Sequence, residues 1–427
     1  MTDILDELHW RGLIALSTDE EALRAALAAG PVTYYCGFDP TAPSLHIGNL
    51  VQILTVRRLQ LAGNDPLALV GGATGLIGDP KMTAERTLND RDTVAGWVER
   101  IRKQIEPLLD FDGPHPARMV NNLDWTAQLS AIDFLRDIGK HFRVSRMLSK
   151  ETVSARLGSE QGISFTEFSY QILQGMDYLE LHRRYGCVLQ TGGSDQWGNL
   201  TSGVDLIHRV ERRSVHAVAT PLVTKADGTK FGKTEIGTVW LDPEMTSPYA
   251  FFQFWMNADD RDVIGYLKVF SFRDRDEIGS LEQELVQRPA ARGAQRALAE
   301  DVTSLVHGAD ETAKVVAASR ALFGMGALEE LDAGTLKAAL DEAGAPELQA
   351  GEELPTYVDL FMSAGLVDSR SAARRAIGDG GAYVNNVRLD PGTAADARAQ
   401  RDELLHGRWL VLRRGKRTVG GVEIGPA

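Results

Sequence analysis

The chain holds two cysteines in 427 residues, Cys36 and Cys187. That is too few for a disulfide framework or a four-ligand structural zinc site. No apolar run approaches the roughly 18 residues that a membrane-spanning helix needs. The opening, MTDILDELHWRGLIALSTDEEAL, is acidic where a secretory signal has a basic stretch. Positive charge is also scarce. Lys and Arg number 46 against 59 Asp and Glu, for a net charge of −13, which argues against a protein that coats nucleic acid nonspecifically. Internal repeats and low-complexity tracts are absent. These absences predict a soluble cytoplasmic protein with no membrane segment and no protein-built metal cage.

What is present is ordinary globular material, 43% hydrophobic and 25% charged. Its length exceeds one compact core, so two or three domains are expected. Charge is uneven along the chain. From Leu354 onward there are 11 Lys/Arg and 8 Asp/Glu, so this tail carries +3 and the preceding 353 residues carry −16. A basic tail on an acidic body fits either a local RNA or phosphate contact or a merely solvated surface.

In the first half, short apolar runs at Val32–Cys36, Pro66–Val70, Arg118–Asn121, Cys187–Thr191 and Ala217–Val223 read as strands. Helical stretches such as Ile47–Leu61, Thr93–Leu109 and Gln196–Val210 separate most of them. This alternation predicts an α/β fold, a Rossmann-like parallel sheet whose ligands lie at the carboxyl ends of its strands. From about Ser247 the strands cease and helices follow, and the last part reads as a small α+β unit. The expected division is an α/β domain at 1–240, an all-α domain at 241–335, a linker with helical pieces at 336–352, rich in Ala, Gly and Glu, and a small α+β domain at 353–427.

Several segments concentrate chemistry-bearing residues. YYCGFDPTAPSLHIGN runs from a strand end through Gly37, Asp39 and Pro40 into a helix near His46. His46 and Asn49 share one face of the first turn, and the N–H groups of a helix start suit a phosphate. LVTKADGTKFGKT brings Lys230 and Lys233 onto a glycine-containing loop. It is not a P-loop, because three residues separate its glycines where that motif needs four. TGGSDQWGN, Thr191 to Asn199, puts two glycines at a strand end, followed by Asp195 and Gln196. Asp195 can accept from ribose hydroxyls, and a tight structural turn explains the same segment equally well. In FTEFSYQILQGMDYLELH, Tyr170, Gln174 and Asp177 fall on one helical face. That face is either solvated or the wall of a pocket for a zwitterion and a hydroxyl. GGATGLIGDP, Gly71 to Pro80, adds Asp79 as a candidate partner for an ammonium group.

Together these segments resemble the bacterial tyrosyl-tRNA synthetases of class I, with HIGN in place of the HIGH signature and KFGKT in place of the KMSKS-type loop. The resemblance spans essentially the whole chain and implies a set of roles. Tyr35 and Asp177 would bind the phenol hydroxyl of L-tyrosine, and Asp79, Tyr170 and Gln174 its ammonium group. Gln196 would lie near its carboxylate. Cys36, Gly193 and Asp195 would touch the ribose of ATP, with Gly37, Asp39 and Gly48 also on the nucleotide. His46, Asn49, Lys230, Lys233 and Thr234 would carry the catalytic step, with Arg86 on the phosphates. Mg²⁺ would accompany ATP, and no tightly held cofactor is implied. The C-terminal SRSAARRAIGDGGAYVNN resembles an RNA-binding module named after a small-subunit ribosomal protein, with Arg370, Arg374 and Arg375 on a helix before a glycine-turn hairpin. The partners implied are tRNA(Tyr) and a second copy of the chain. Two departures are Asn49, where the signature has its second His, and a segment between Asp79 and Arg86 that is one residue shorter than in many relatives. The second leaves open whether Lys81 reaches a phosphate. The competing readings are a tryptophan-specific synthetase, a small-molecule ligase on the same nucleotide fold, and a catalytically inactive RNA-binding paralogue.

Overall fold

A computed structural model describes residues 3–425, apart from 82–86, 161, 228, 230, 235–236, 350, 352, 395–396 and 417. The chain divides into two compact units. The first comprises Met1–Met245 with Asp259–Ala294, and the second Thr246–Ala258 with Gln295–Ala427.

The first unit is built on six strands, β1 (Leu16–Ser17), β2 (Thr33–Phe38), β3 (Asp65–Val70), β4 (Arg118–Asn121), β5 (Leu189–Gly193) and β6 (His216–Thr220). Their order in the sheet is β1-β6-β5-β2-β3-β4. All neighbouring pairs are parallel except β1 with β6. The strand order reverses between β2 and β5, and the carboxyl ends on either side of such a reversal form the ligand crevice of an open α/β sheet. The strands are nearly all buried because helices cover both faces, which is why they read in sequence as short continuous apolar runs. The antiparallel edge strand β1 has only two residues and left no apolar run to read.

Two helices bring side chains to this crevice. Phe165–Tyr185 is capped by Ser164, whose side chain accepts from Glu167 N, and it stops at Gly186 in the left-handed conformation. Its buried face, including Ile172, Met176 and Leu179, belongs to the same apolar cluster as Tyr35, Leu67 and Trp125. Ile47–Leu61 follows β2 and is nearly all buried. A short antiparallel pair, β7 (Lys233–Thr234) with β8 (Gly237–Thr238), forms part of the lysine segment.

The second unit combines helices Pro248–Met256, Gly293–His307, Ala309–Leu322 and Ala333–Glu342 with a five-stranded sheet. The strands of that sheet are β9 (Glu347–Gln349), β10 (Ala382–Val384), β11 (Val387–Arg388), β12 (Trp409–Arg414) and β13 (Thr418–Gly425), in the order β11-β10-β12-β13-β9. The expected linker at 336–352 is therefore structured. Leu336, Ala339 and Leu340 are buried, and β9 pairs in parallel with β13. Its Ala- and Glu-rich composition belongs to a helix whose exposed face is small and polar. The helical stretch expected at 241–335 is divided as well, since Asp259–Ala294 packs with the first unit.

Candidate active site

Tyr35 on β2 is 1% exposed and packs against Tyr178 with ring centroids 5.2 Å apart. Its hydroxyl is buried and has no hydrogen-bond partner among the described residues. Such a group costs about 1–3 kcal/mol when left unmatched. Asp177, also 1% exposed, accepts from Asn122 Nδ2 at Oδ2 and from Trp125 Nε1 at Oδ1, both at 2.9 Å. Each carboxylate oxygen keeps a further lone pair. Burial pushes the Asp177 carboxyl up to about 7, against the opposing pull of its Asn122 and Trp125 donors. Burial, and then the charge of Asp177, hold the Tyr35 phenol protonated well above its ordinary range. An unmatched hydroxyl and a carboxylate with spare lone pairs are what a substrate hydroxyl needs to accept and donate at once.

A continuous hydrogen-bonded chain leads from this pair to the other end of the crevice. Asn122 Nδ2, already bonded to Asp177, also donates to Thr74 Oγ1 at 2.9 Å. Thr74 Oγ1 in turn donates to Asp39 Oδ1 at 2.6 Å, and Tyr170 OH donates to Asp39 Oδ2 at 2.6 Å. Glycines make this approach possible. A Cβ on Gly71 would lie 2.0 Å from Asp39 Oδ1, and one on Gly72 would lie 2.3 Å from Asn121 Oδ1. Burial, followed by the charges of Asp39 and Asp79, holds the Tyr170 phenol well above its usual range. Asp39, expected on the nucleotide, is thus hydrogen-bonded to Tyr170, expected on the ammonium group.

Asp79 closes that end. Its carboxylate accepts from Gln196 Nε2 at 3.0 Å and Asn199 Nδ2 at 3.2 Å, and it pairs with Lys150 Nζ at 3.6 Å. Asn199 ties the group together, accepting from Lys150 Nζ and donating to Gln196 Oε1, both at 2.8 Å. Gln196 is therefore a partner of Asp79 in this arrangement, where the expectation put it beside a carboxylate. An incoming ammonium would meet the oxygens that now face Lys150. Gln174, half-buried, lies on the same helix as Tyr170 and Asp177.

The residues expected on the nucleotide are more dispersed. Cys36 is 1% exposed, its Sγ directed at Gly37 O, and burial raises its thiol to about 12. As placed, it offers no polar surface to a ribose. Gly37 is exposed. Asp195 is exposed and folds back over Gly193, where a Cβ would come within 2.5 Å of Asp195 Oδ1.

His46 is the N-cap of the Ile47–Leu61 helix. Its Nδ1 accepts from Gly48 N at 3.0 Å, and Asn49 Oδ1 accepts from His46 N at 3.1 Å. With Nδ1 accepting, the neutral ring carries its proton on Nε2 and that nitrogen is the donor. Asn49, in the position of a second signature histidine, closes the reciprocal cap. Gly48 is required by space, since a Cβ there would lie 2.8 Å from His46 Cε1.

The lysine segment is fastened to this helix start. His46 and Trp240 form an antiparallel bridge, Ile47 N donates to Val239 O at 3.2 Å, and Leu241 N donates to Leu45 O at 2.8 Å. Gly232, at φ +78°, sits against Ile47, where a Cβ would lie 3.1 Å from Ile47 Cγ1. Lys230 and Arg86 lie outside the described residues. The backbone of Lys233 and Thr234 forms β7. Lys81 is exposed, and its carbonyl accepts from Arg156 Nη1 at 3.0 Å. In the second unit, Arg374 and Arg375 are exposed on the Arg370–Gly378 helix, while Arg370 is paired with Asp359 at 2.5 Å. The hairpin after it turns on Asn385 and Asn386, both at positive φ, where a glycine turn was expected.

Thr74, Asn122, Trp125, Lys150 and Asn199 were not singled out in the sequence. Asn199 stands three residues after Gln196 in the same motif, and Asn122 and Trp125 follow directly on the carboxyl end of β4, so position pointed to them. Lys150 lies in a stretch of short helices with no local signal.

Residues 27–324, which include the strand-order reversal, the histidine-capped helix start and the lysine segment, match the family described as tRNA synthetases class I (W and Y). Residues 337–419 match the C-terminal domain described for tyrosine–tRNA ligases. A tyrosine–tRNA ligase of Streptomyces avermitilis is 69% identical over 425 residues, 99% of each chain. A C-terminally truncated mitochondrial tyrosyl-tRNA synthetase of Aspergillus nidulans superposes with a TM-score of 0.68 at 29% identity, covering 75% of this chain and 94% of that one. A tryptophanyl-tRNA synthetase of Encephalitozoon cuniculi shares the fold, with a TM-score of 0.56 at 14% identity over 78% of this chain and 89% of the other. The chain belongs to the tyrosine–tRNA ligase family of class I aminoacyl-tRNA synthetases, and it is an enzyme of that family.

Proposed function

We propose that the chain activates L-tyrosine with ATP and transfers the tyrosyl group to the 3′ end of tRNA(Tyr). In the first step a carboxylate oxygen of tyrosine attacks the α-phosphorus of ATP, and the bond to pyrophosphate breaks. In the second, a terminal ribose hydroxyl attacks the acyl carbon, AMP leaves and the hydroxyl proton is lost. No covalent enzyme intermediate is needed, so the protein positions the reactants and stabilises charge. Tyr35 and Asp177 read the phenol. Asp79, Tyr170 and Gln174 take the ammonium, and Asp39 joins them through Tyr170. Gln196 steadies Asp79. His46 Nε2, Lys230, Lys233, Thr234 and Arg86 act on the phosphates of ATP, which arrives with Mg²⁺. Cys36, Gly37, Gly48, Gly193 and Asp195 border the nucleotide.

The observation that carries this reading is the unmatched Tyr35 hydroxyl beside Asp177. An indole N–H could donate to Asp177 but could not accept from Tyr35, which favours tyrosine over tryptophan. The exposed Arg374 and Arg375 support an RNA-binding role for the C-terminal part. Between β4 and β5 the chain exposes Ile132, Leu135, Val144, Leu157 and Phe165, which supports a homodimer formed through this segment. Among the described residues no helix is long and apolar enough to cross a membrane. That observation is compatible with a cytoplasmic location.

Pyrophosphate exchange with tyrosine, phenylalanine and tryptophan tests the reading. Tyr35→Phe should cost tyrosine activation about 0.5–1.5 kcal/mol and narrow the tyrosine-to-phenylalanine ratio by a similar amount. Asp177→Asn should cost more, because a charged acceptor bonds more strongly than an amide. Unchanged ratios in both variants would mean that these residues do not read the phenol.

A further inference from the structure

The helix Val263–Phe270 holds the segment that leads into the proposed lysine loop at three points. Asp262 precedes this helix, yet its side chain makes no capping bond to it. Both its carboxylate oxygens instead accept from Ala226 N, at 3.0 and 3.1 Å. One turn further on, Tyr266 OH donates to Thr224 O at 3.3 Å. Phe231, 9% exposed, stacks on Phe270 with centroids 5.4 Å apart and tilts against Tyr266 at 5.1 Å. Residues 224 and 226 precede both lysines, and residue 231 lies between them.

The far end of the same helix is locked to the remainder of the first unit. Arg11 donates to the carbonyls of Lys268, Ser271 and Arg273, and Arg58 donates to that of Ser271 at 2.7 Å. Arg58 is 4% exposed and lies in the last turn of the Ile47–Leu61 helix, whose first turn holds His46. One rigid path therefore runs from His46 along its helix, through Arg58 to Ser271, and back along Val263–Phe270 to the lysine segment. An aspartate at a helix start ordinarily spends its carboxylate on its own helix. Here both carboxylate oxygens accept from the loop at Ala226, and the carboxylate also hydrogen-bonds Tyr266 one turn along.

We propose that Asp262, seconded by Tyr266, is a positioning residue for adenylate formation. It fixes the backbone at Ala226, at the start of the segment that the proposed function assigns to the phosphates. This rests on the reading that the lysine segment acts on ATP. A displaced charge near the reacting phosphate costs roughly ten- to a hundredfold in rate, and groups acting through one element are not additive.

The test is single-turnover tyrosyl-adenylate formation by the full-length protein, with tyrosine affinity measured separately. Asp262→Ala should slow the step by roughly tenfold or more while leaving tyrosine affinity unchanged. Asp262→Asn, which keeps an acceptor oxygen, should recover much of the rate. Tyr266→Phe keeps the ring against Phe231 and should give a smaller loss. The deciding arm is the Lys233→Ala background, where the cost of Asp262→Ala should largely vanish. If Lys233→Ala slows the step but Asp262→Ala costs as much in that background as alone, Asp262 does not act through the loop and the inference fails. Equal losses in tyrosine affinity and rate would overturn it too, by pointing to general damage. If Lys233→Ala leaves the rate intact, the underlying reading of the loop falls instead.

Discussion

Asp177 is held in the interior by Asn122 and Trp125, yet burial raises its carboxyl to about 7. Its folded value lies above its ordinary one, so the sign is the reverse of the usual carboxylate case. Burial favours its protonated form, so the stability this gives is fully present below the ordinary carboxylate range and is lost as the pH rises through about 7. Function runs the other way, because only the ionised form offers both oxygens as acceptors. We therefore expect kcat/KM for tyrosine to fall as the pH drops through about 7. Asp177→Asn should flatten that limb of the profile, and an unchanged limb in the variant would assign the ionisation elsewhere. Tyr35 and Asp177 were legible because they belong to motifs that resemble a family. The Asn122–Thr74–Asp39 chain joining Asp177 to Tyr170 was not, since its members sit on three separate strand ends that only folding assembles.

The start of the Ile47–Leu61 helix shows how one turn sets the side chain proposed to meet the phosphates. Gly48→Ala would put a methyl group 2.8 Å from the His46 ring and break its bond to Gly48 N. Adenylate formation should slow by roughly ten- to a hundredfold, while tyrosine affinity, read by equilibrium binding, stays near that of the parent. A matched loss in affinity would show that the ring was not the part disturbed. At this scale the sequence was most readable where apolar runs were bounded by turn residues. β4 was predicted residue for residue, and β2, β3, β5 and β6 to within a few residues. It was least readable where composition and burial disagree. The Ala- and Glu-rich segment around Leu336 and Leu340 looks like a spacer until β9 is seen to pair with β13. A two-residue edge such as β1 has no periodicity to detect.

The second unit, taken whole, explains what losing the tail would do. Asn386 Nδ2 donates to Ala321 O at 2.6 Å and His406 Nε2 bonds to Leu331 O at 2.8 Å, so the C-terminal sheet and the helices before it share one body. Ending the chain after Gly351 would strand β9 and uncover Leu340, which now packs at Gly421. Pyrophosphate exchange should remain close to the parent's, because the crevice lies wholly in the first unit. Tyrosylation of tRNA should fall sharply, and the salt dependence of tRNA binding should become shallower as phosphate contacts are lost. The melting transition of the second unit should also move down. Equal loss of exchange and charging would mean that the tail supports the crevice.

The unmatched hydroxyl of Tyr35 also bears on how long the enzyme lasts in a cell. On the proposed assignment, part of the free energy that would select the substrate is withheld from folding until tyrosine completes the interior. The amino acid thus acts on its own enzyme as a stabilising ligand. On that assignment, the stability of the folded enzyme is coupled to the supply of what it consumes.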